Sequence, residues 1–294
     1  MRIGIIGLGS MGGGAAASLV RAGHEVTGCD TREAARAALL DVGGAAVASA
    51  DALPEIEALI LFVVDAAQVE AALFGPAGCA ARLAPGTIIL LCVTVAPAIA
   101  RVLSARLTAL GLVMLDTPVS GGSAAAAGGT MTVMASGPPA AFDLVAPVLN
   151  AIASRVWRLG DEVGAGSTVK MVNQLLAGVH IAAAAEAMAL GIQAGADPQT
   201  LFNVISTSAG SSWMFQNRVP HILAGDDTPH STVDIFVKDL GIVLDGGRAL
   251  TMPLPLAAAA HQLFLAVSAM GHGTRDDAFV IRFWEKLAGV ELPG

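Results

Sequence analysis

Read for the spacing of its apolar and polar residues, the chain has two halves with different rhythms. In the first, short apolar runs alternate with longer amphipathic stretches. "RIGIIGL", "HEVTGCD", "EALILFVV", "TIILLCVT", "LVMLDTPVS" and "TMTVMAS" read as strands, and "RVWRLG" near 155–160 adds a last one. "SMGGGAAASLVRAG", "REAARAALLDVG", "AAQVEAALFG", "APAIARVLSARLTALG" and "PAAFDLVAPVLNAIAS" read as helices between them. Strand alternating with helix predicts a doubly wound, mostly parallel α/β sheet with both faces covered. From Ser167 onward almost everything is helix-compatible, with breaks at "GADPQT", "GDDTPHS" and "TMPLPL". The expected organisation is an α/β domain over 1–163 and an all-α domain over 164–294. The stretch from about 167 to 194 is apolar nearly all round, which predicts a long interdomain helix buried on several sides.

A hydrophobic fraction of 54% and a mean hydropathy of +0.69 raise the question of a membrane. The most apolar long segment, "LLAGVHIAAAAEAMALGIQAGA", is interrupted by His180, Glu186 and Gln193, so a clean run of about 18 residues is not reached. No basic leader precedes the first strand. The expectation is a cytoplasmic protein with no membrane partner. A net charge of −8 without a Lys/Arg cluster speaks against nucleic acid. Cys29, Cys79 and Cys92 lie inside apolar runs and read as small core residues, neither a disulfide frame nor a metal site.

"GIIGLGSMGGG" carries chemistry. Gly7, Gly9 and Gly12 have the spacing G-x-G-x-x-G, directly after a strand and opening a helix. Gly7 permits the turn, Gly9 lets the backbone approach a phosphate, and Gly12 allows close packing of helix on strand. The free N–H groups of that helix start suit a pyrophosphate. Alone the spacing means little in a chain with 34 glycines. An acidic residue should follow about 20 residues on, at the end of the second strand, and Asp30 stands there. The loop Gly7, Leu8, Gly9, Ser10, Met11 and Gly12 together with Asp30 therefore predicts a Rossmann-type dinucleotide site. A carboxylate at position 30 binds an adenosine ribose and repels a 2′-phosphate, favouring NAD, whereas Arg32 two residues on would favour NADP.

The reacting end must exchange a hydroxyl proton. The chain has no tyrosine, which removes a Tyr-Lys dyad, and none of its six histidines sits in a distinctive motif. Lys170 in "GAGSTVKMVNQLLAG" remains. Ser167 reads as the N-cap of its helix, which puts Lys170 in the first turn, where dipole and burial lower an ammonium pKa toward general acid–base use. Asn173 and Gln174 share its face at helical spacing and can hydrogen-bond a polyol or carboxylate, which makes both candidate substrate-binding residues. In "LDTPVSGGSAAAAGG", Ser120, Gly121 and Gly122 offer a hydroxyl beside exposed N–H groups, suited to a carboxylate.

Together these stretches resemble the β-hydroxyacid dehydrogenase family, which includes 3-hydroxyisobutyrate dehydrogenase and tartronate semialdehyde reductase. The resemblance runs through "GLGSMG", "DTPVSGG", "GAGSTVKMVNQ" and "VKDLGIVLDGG" in that order. It implies an NAD-dependent oxidoreductase for a small hydroxy acid, with Lys170 catalytic and Ser120, Gly121 and Gly122 on substrate. It further implies Thr94 on the cofactor, Lys238 near the nicotinamide, and a homodimer or homotetramer. One departure stands out: the family commonly has a second asparagine, contacting substrate, where this chain has Gln174. "AGSSWMFQNR", "TPHSTVDIFVKDLG" and "VVDAAQVEAALFG" resemble the branch that oxidises a four-carbon sugar acid at its C2 hydroxyl. A non-catalytic NAD-binding sensor would keep the glycine loop and lose the lysine end; both ends are intact here.

Overall fold

The structure, a computed structural model, describes residues 1–293. The chain forms two compact units, Met1–Lys170 and the part from Met171 onward. In the first, β1 (Arg2–Ile6), β2 (Glu25–Cys29), β3 (Ala45–Val47), β4 (Ala58–Leu61), β5 (Ile88–Leu91) and β6 (Val113–Asp116) form a sheet in the order β3-β2-β1-β4-β5-β6. Every neighbouring pair is parallel. The intervening helices are α1 (Ser10–Arg21), α2 (Glu33–Asp41), α3 (Ala66–Phe74) and α4 (Pro97–Ala109). The strand order reverses between β1 and β4, where this class of sheet opens its ligand crevice.

Burial follows from the alternation of side chains along a strand. Ile60 and Leu90 enter one core with Leu19 of α1, whereas Leu59, Leu61, Ile89 and Leu91 enter the other with Val69 of α3 and Leu103 of α4. A strand covered on both faces needs apolar residues at consecutive positions, which is why β4 and β5 read as unbroken hydrophobic runs.

Two features differ from the sequence reading. β3 was not anticipated, being three residues of small side chains at the sheet edge. "LVMLDTPVS" divides into β6 and β7 (Val119–Ser120), and β7 leaves the main sheet. After α5 (Gly122–Gly128), β8 (Met131–Ala135) pairs antiparallel with β7; after α6 (Pro139–Ile152), β9 (Ala153–Arg158) pairs parallel with β8. "TMTVMAS" and "RVWRLG" are thus strands, but of a separate three-stranded sheet.

The second unit is helical among its described residues. It contains most of α7 (Ala165–Gln193), then α8 (Pro198–Ser206), α9 (Trp213–Ala224), α10 (Val233–Ala249), α11 (Pro255–Val267) and α12 (Arg282–Ala288). Asp197, Ser212 and Thr232 cap α8, α9 and α10 through their side-chain oxygens, fixing where each starts. By length and composition α7 is apolar enough to cross a membrane. One face is instead packed into a core: Ala177, Ile181, Ala185 and Met188 lie against Phe236, Leu240 and Phe264.

In the first unit α1 lies against α5 at backbone contact. A Cβ on Gly14 would sit 2.7 Å from the Ala127 amide nitrogen, and Ser18 Oγ donates to Ala126 O at 3.1 Å. Gly14→Ala must push the two helices apart. It is expected to cost about 1–3 kcal/mol and to lower the melting temperature by roughly 2–10 °C, measured by calorimetry.

Candidate active site

The glycine loop follows β1 at the switch point. Gly7 has φ +92°, in the region that favours glycine. A Cβ on Gly12 would stand 1.8 Å from the Gly7 carbonyl oxygen, so only glycine lets α1 start this close to β1. Gly9 faces the other way: the nearest atom to a Cβ there is Arg32 Nη2 at 3.8 Å. Gly9 is also the N-cap of α1 and supplies no side-chain partner to the N–H groups of the first turn, which holds Ser10, Met11 and Gly12. An open face over uncapped N–H groups fits a dinucleotide phosphate.

Asp30, at the end of β2, holds this loop in place. Its Oδ2 accepts the Leu8 N–H at 2.8 Å, while Arg32 donates from Nε to Oδ1 at 3.0 Å and from Nη2 to Oδ2 at 2.9 Å. Arg32 Nη1 is not involved in these contacts; its side chain is 62% exposed against 8% for Asp30. The guanidinium, with the Arg32 and Leu8 backbone donors, outweighs burial and draws the Asp30 pKa down to about 2. Its folded value lies below the unfolded one of about 4, so the stability it contributes is complete above pH ~4 and is lost only as pH falls toward 2. Thr94, itself half-buried, lies in the mostly buried segment between β5 and α4.

β7 ends at Ser120, and the chain turns into α5 through Gly121 with φ +132° and Gly122 with φ +74°. A Cβ on Gly121 would strike that of Ala125 at 2.6 Å; Gly122 has open space around it, and its constraint is the backbone angle.

Lys170 is buried, at 7% exposure, near the start of α7. The local geometry corrects one expectation. α7 begins at Ala165, so Ser167 is its third residue, not its N-cap, and Lys170, the sixth, lies past the first turn. The cap comes from the end of β6. Asp116 Oδ2 accepts the N–H groups of Gly164 at 3.0 Å and Ser167 at 2.8 Å, and Oδ1 accepts the Ser167 hydroxyl at 2.7 Å. Ser136 Oγ accepts the Gly166 N–H at 3.0 Å, and its backbone exchanges two hydrogen bonds with that of Asp116. A carboxylate therefore stands at the positive end of the helix, in place of the open dipole the sequence suggested. Asp116 is fully buried, and burial raises its pKa against the pull of the Ser167, Gly164 and Ser136 donors.

In the second unit, Asn173 Nδ2 donates to Gln174 Oε1 at 3.0 Å, and Gln174 Nε2 donates to Asp239 Oδ2 at 2.5 Å. On α10, Lys238 Nζ lies 2.8 Å from Asp239 Oδ1. Sequence reasoning singled out neither Asp116 nor Asp239, although both stand in the quoted motifs "LDTPVSGG" and "VKDLGIVLDGG". Among the described residues no His/Cys/Asp/Glu group forms a metal cluster.

Comparison with known proteins identifies the family. Residues 2–160 match the family described as the NAD binding domain of 6-phosphogluconate dehydrogenase, and residues 164–284 that described as NAD-binding of NADP-dependent 3-hydroxyisobutyrate dehydrogenase. The class is thus a nicotinamide-dinucleotide-dependent oxidoreductase acting on CH–OH groups. An L-threonate dehydrogenase of Cupriavidus necator is 56% identical, over 99% of this chain and 98% of its own. One from Escherichia coli K12 is 50% identical, over 99% and 96%. A crystal structure of a 3-hydroxyisobutyrate dehydrogenase from Salmonella typhimurium superposes with a TM-score of 0.91 at 51% identity, covering 96% of this chain and 99% of that one. The chain belongs to the β-hydroxyacid dehydrogenase family, the group that contains 3-hydroxyisobutyrate dehydrogenase.

The buried cap yields a stability test. Asp116→Asn keeps the shape but only one acceptor oxygen, leaving at least one donor at the start of α7 unmet. It is expected to cost about 1–3 kcal/mol, read as a lower urea midpoint at unchanged slope. The raised pKa means that ionising Asp116 opposes folding. Wild type should therefore lose stability relative to the asparagine variant as pH rises from about 4 through the raised value.

Proposed function

We propose that this protein oxidises L-threonate at its C2 hydroxyl to the 2-oxo acid, using NAD, with Lys170 as the general acid/base. The observation that carries the reading is Lys170 itself, a buried lysine on a mostly apolar helix, in the position of the family's lysine. The substrate follows from the two L-threonate dehydrogenases to which the chain is similar along nearly its whole length. When bound, the nicotinamide supplies the hydride acceptor. The loop Gly7–Gly12, Asp30, Thr94 and Lys238 hold the cofactor in this reading. Ser120 and the N–H groups at Gly121 and Gly122 anchor the carboxylate, with Asn173 as a further hydrogen-bonding partner. Lys170 Nζ takes the C2 hydroxyl proton in oxidation and returns it in the reverse direction. The anionic Asp30, rather than the exposed Arg32, sets the preference for NAD.

The same reading covers setting and assembly. A cytoplasmic location suits Cys29, Cys79 and Cys92, which are buried free thiols. A homodimer or homotetramer suits Val172, Leu176 and Leu190, exposed apolar residues that fall on one side of α7 at helical spacing.

Turnover measured with NAD and with NADP against L-threonate, 3-hydroxyisobutyrate, L-serine and, in the reducing direction, tartronate semialdehyde is expected to give the highest kcat/KM for L-threonate with NAD. A higher value for 3-hydroxyisobutyrate would reassign the substrate, and a preference for NADP would transfer the cofactor choice to Arg32.

Lys170→Met tests the mechanism separately. NAD binding, followed by calorimetry, should persist while turnover falls by roughly 10²–10⁴, the range for a lost general acid–base group. Wild-type oxidation should speed up as pH rises and the Lys170 ammonium loses its proton, and that rise should vanish in the variant. Near-normal turnover in the variant would mean that the proton is handled elsewhere.

A further inference from the structure

We infer that Gln174 is a positioning residue that acts through Asp239 on Lys238, and is not a contact for substrate. The inference rests on the cofactor-side role of Lys238 proposed above. Gln174 is 7% exposed and Asp239 2%, so both polar groups must find partners within the protein. A carboxylate only accepts, so the Gln174 amide nitrogen must face Asp239 Oδ2, at 2.5 Å. That leaves its carbonyl oxygen for Asn173, whose Nδ2 donates at 3.0 Å. Each end of the side chain thereby has a protein partner.

Asp239 is held unevenly. Its Oδ1 has no aligned hydrogen-bond donor among the described residues and instead faces the Lys238 ammonium at 2.8 Å. The amide on Oδ2 restrains the carboxylate from turning and makes it a fixed counter-charge beside the Lys238 ammonium. Asn173, Gln174, Asp239 and Lys238 form one continuous chain of contacts from α7 to α10.

The spacing of these two helices makes the length of residue 174 matter. One turn further on, a Cβ on Gly178 would lie 2.9 Å from Leu240 Cδ1, so glycine there leaves the Leu240 side chain its place against α7. An asparagine at 174 falls short of the Asp239 carboxylate by one C–C bond, about 1.5 Å. The glutamine that departs from the family pattern is thus the residue that spans the distance to Asp239.

The test compares Gln174→Asn, Gln174→Glu and Lys238→Met, with NAD affinity measured by calorimetry and KM by steady-state kinetics. Gln174→Asn should weaken NAD binding by roughly 10-fold, the size of one lost hydrogen bond to a charged group, and leave KM for the hydroxy acid nearly unchanged. Adding Asp239→Glu returns the missing methylene from the other side and should restore most of the affinity. Gln174→Glu has nearly the same shape, which guards against a simple loss of fold. Protonated, it donates to Asp239 as the amide does; ionised, it repels it. Its NAD affinity should therefore approach wild type at low pH and fall as pH rises, a profile that a packing role would not produce. A raised KM with unchanged NAD affinity in Gln174→Asn would make Gln174 a substrate contact and overturn the inference. If Lys238→Met weakens NAD binding and Gln174→Asn does not, the inference alone fails. If Lys238→Met changes nothing, the role given to Lys238 fails, and the inference with it.

Discussion

A single buried carboxylate organises the chemistry of the first unit. Asp116 ends β6 and receives the first N–H groups of α7, so the helix that carries Lys170 starts where the sheet dictates. Four residues after Asp116 comes Ser120, and three residues after Ser167 comes Lys170. The anchor and the base of the proposed reaction are therefore both referenced to one point, and a shift there would move both. The close approach also explains Gly166, where a Cβ would meet the Met134 and Asp116 carbonyl oxygens at 2.3 and 2.8 Å. A buried charge is an expensive joint, since burial opposes its ionisation. It is tolerable because the donors converging on it would otherwise be unmet helix ends.

Asp30 shows the same economy in a more exposed place. One carboxylate fixes the glycine loop through the Leu8 N–H and restrains Arg32 through two side-chain hydrogen bonds. The residue that reads as a ribose ligand is thus also a structural tie, and the arginine that reads as its rival is its partner. A choice between them framed from sequence treats as alternatives two groups that the fold joins.

How much of this the sequence disclosed depends on range. The sheet was legible because burial on both faces writes continuous apolar runs at β4 and β5, and the helical half because its breaks at Gly, Pro and Asp are local signals. The three-residue β3 carries too little pattern to register. Gly7 and Gly12 were legible because a tight turn and a close packing leave no substitute for glycine. Ser167 was misread because a serine before an apolar helix is the ordinary local cap, whereas the group that caps α7 lies 51 residues earlier. Asp239 went unnoticed for a similar reason: its partner Gln174 is 65 residues away in sequence. Side chains whose role is set by distant neighbours leave no spacing to read.

The strand order also has a consequence for biosynthesis. β1 is made before the other five strands of its sheet, yet it occupies the middle, between β2 and β4. Its second edge, opposite Ile3 to Ile6, has no partner until Ala58 to Leu61 have been made. Over that interval a nascent chain presents one of its most apolar segments with an unpaired backbone, the kind of edge that invites association with other chains. The glycine loop hangs from the end of that strand. The strand that carries the proposed cofactor cradle is thus made before its partners and completed late, with one edge open in between.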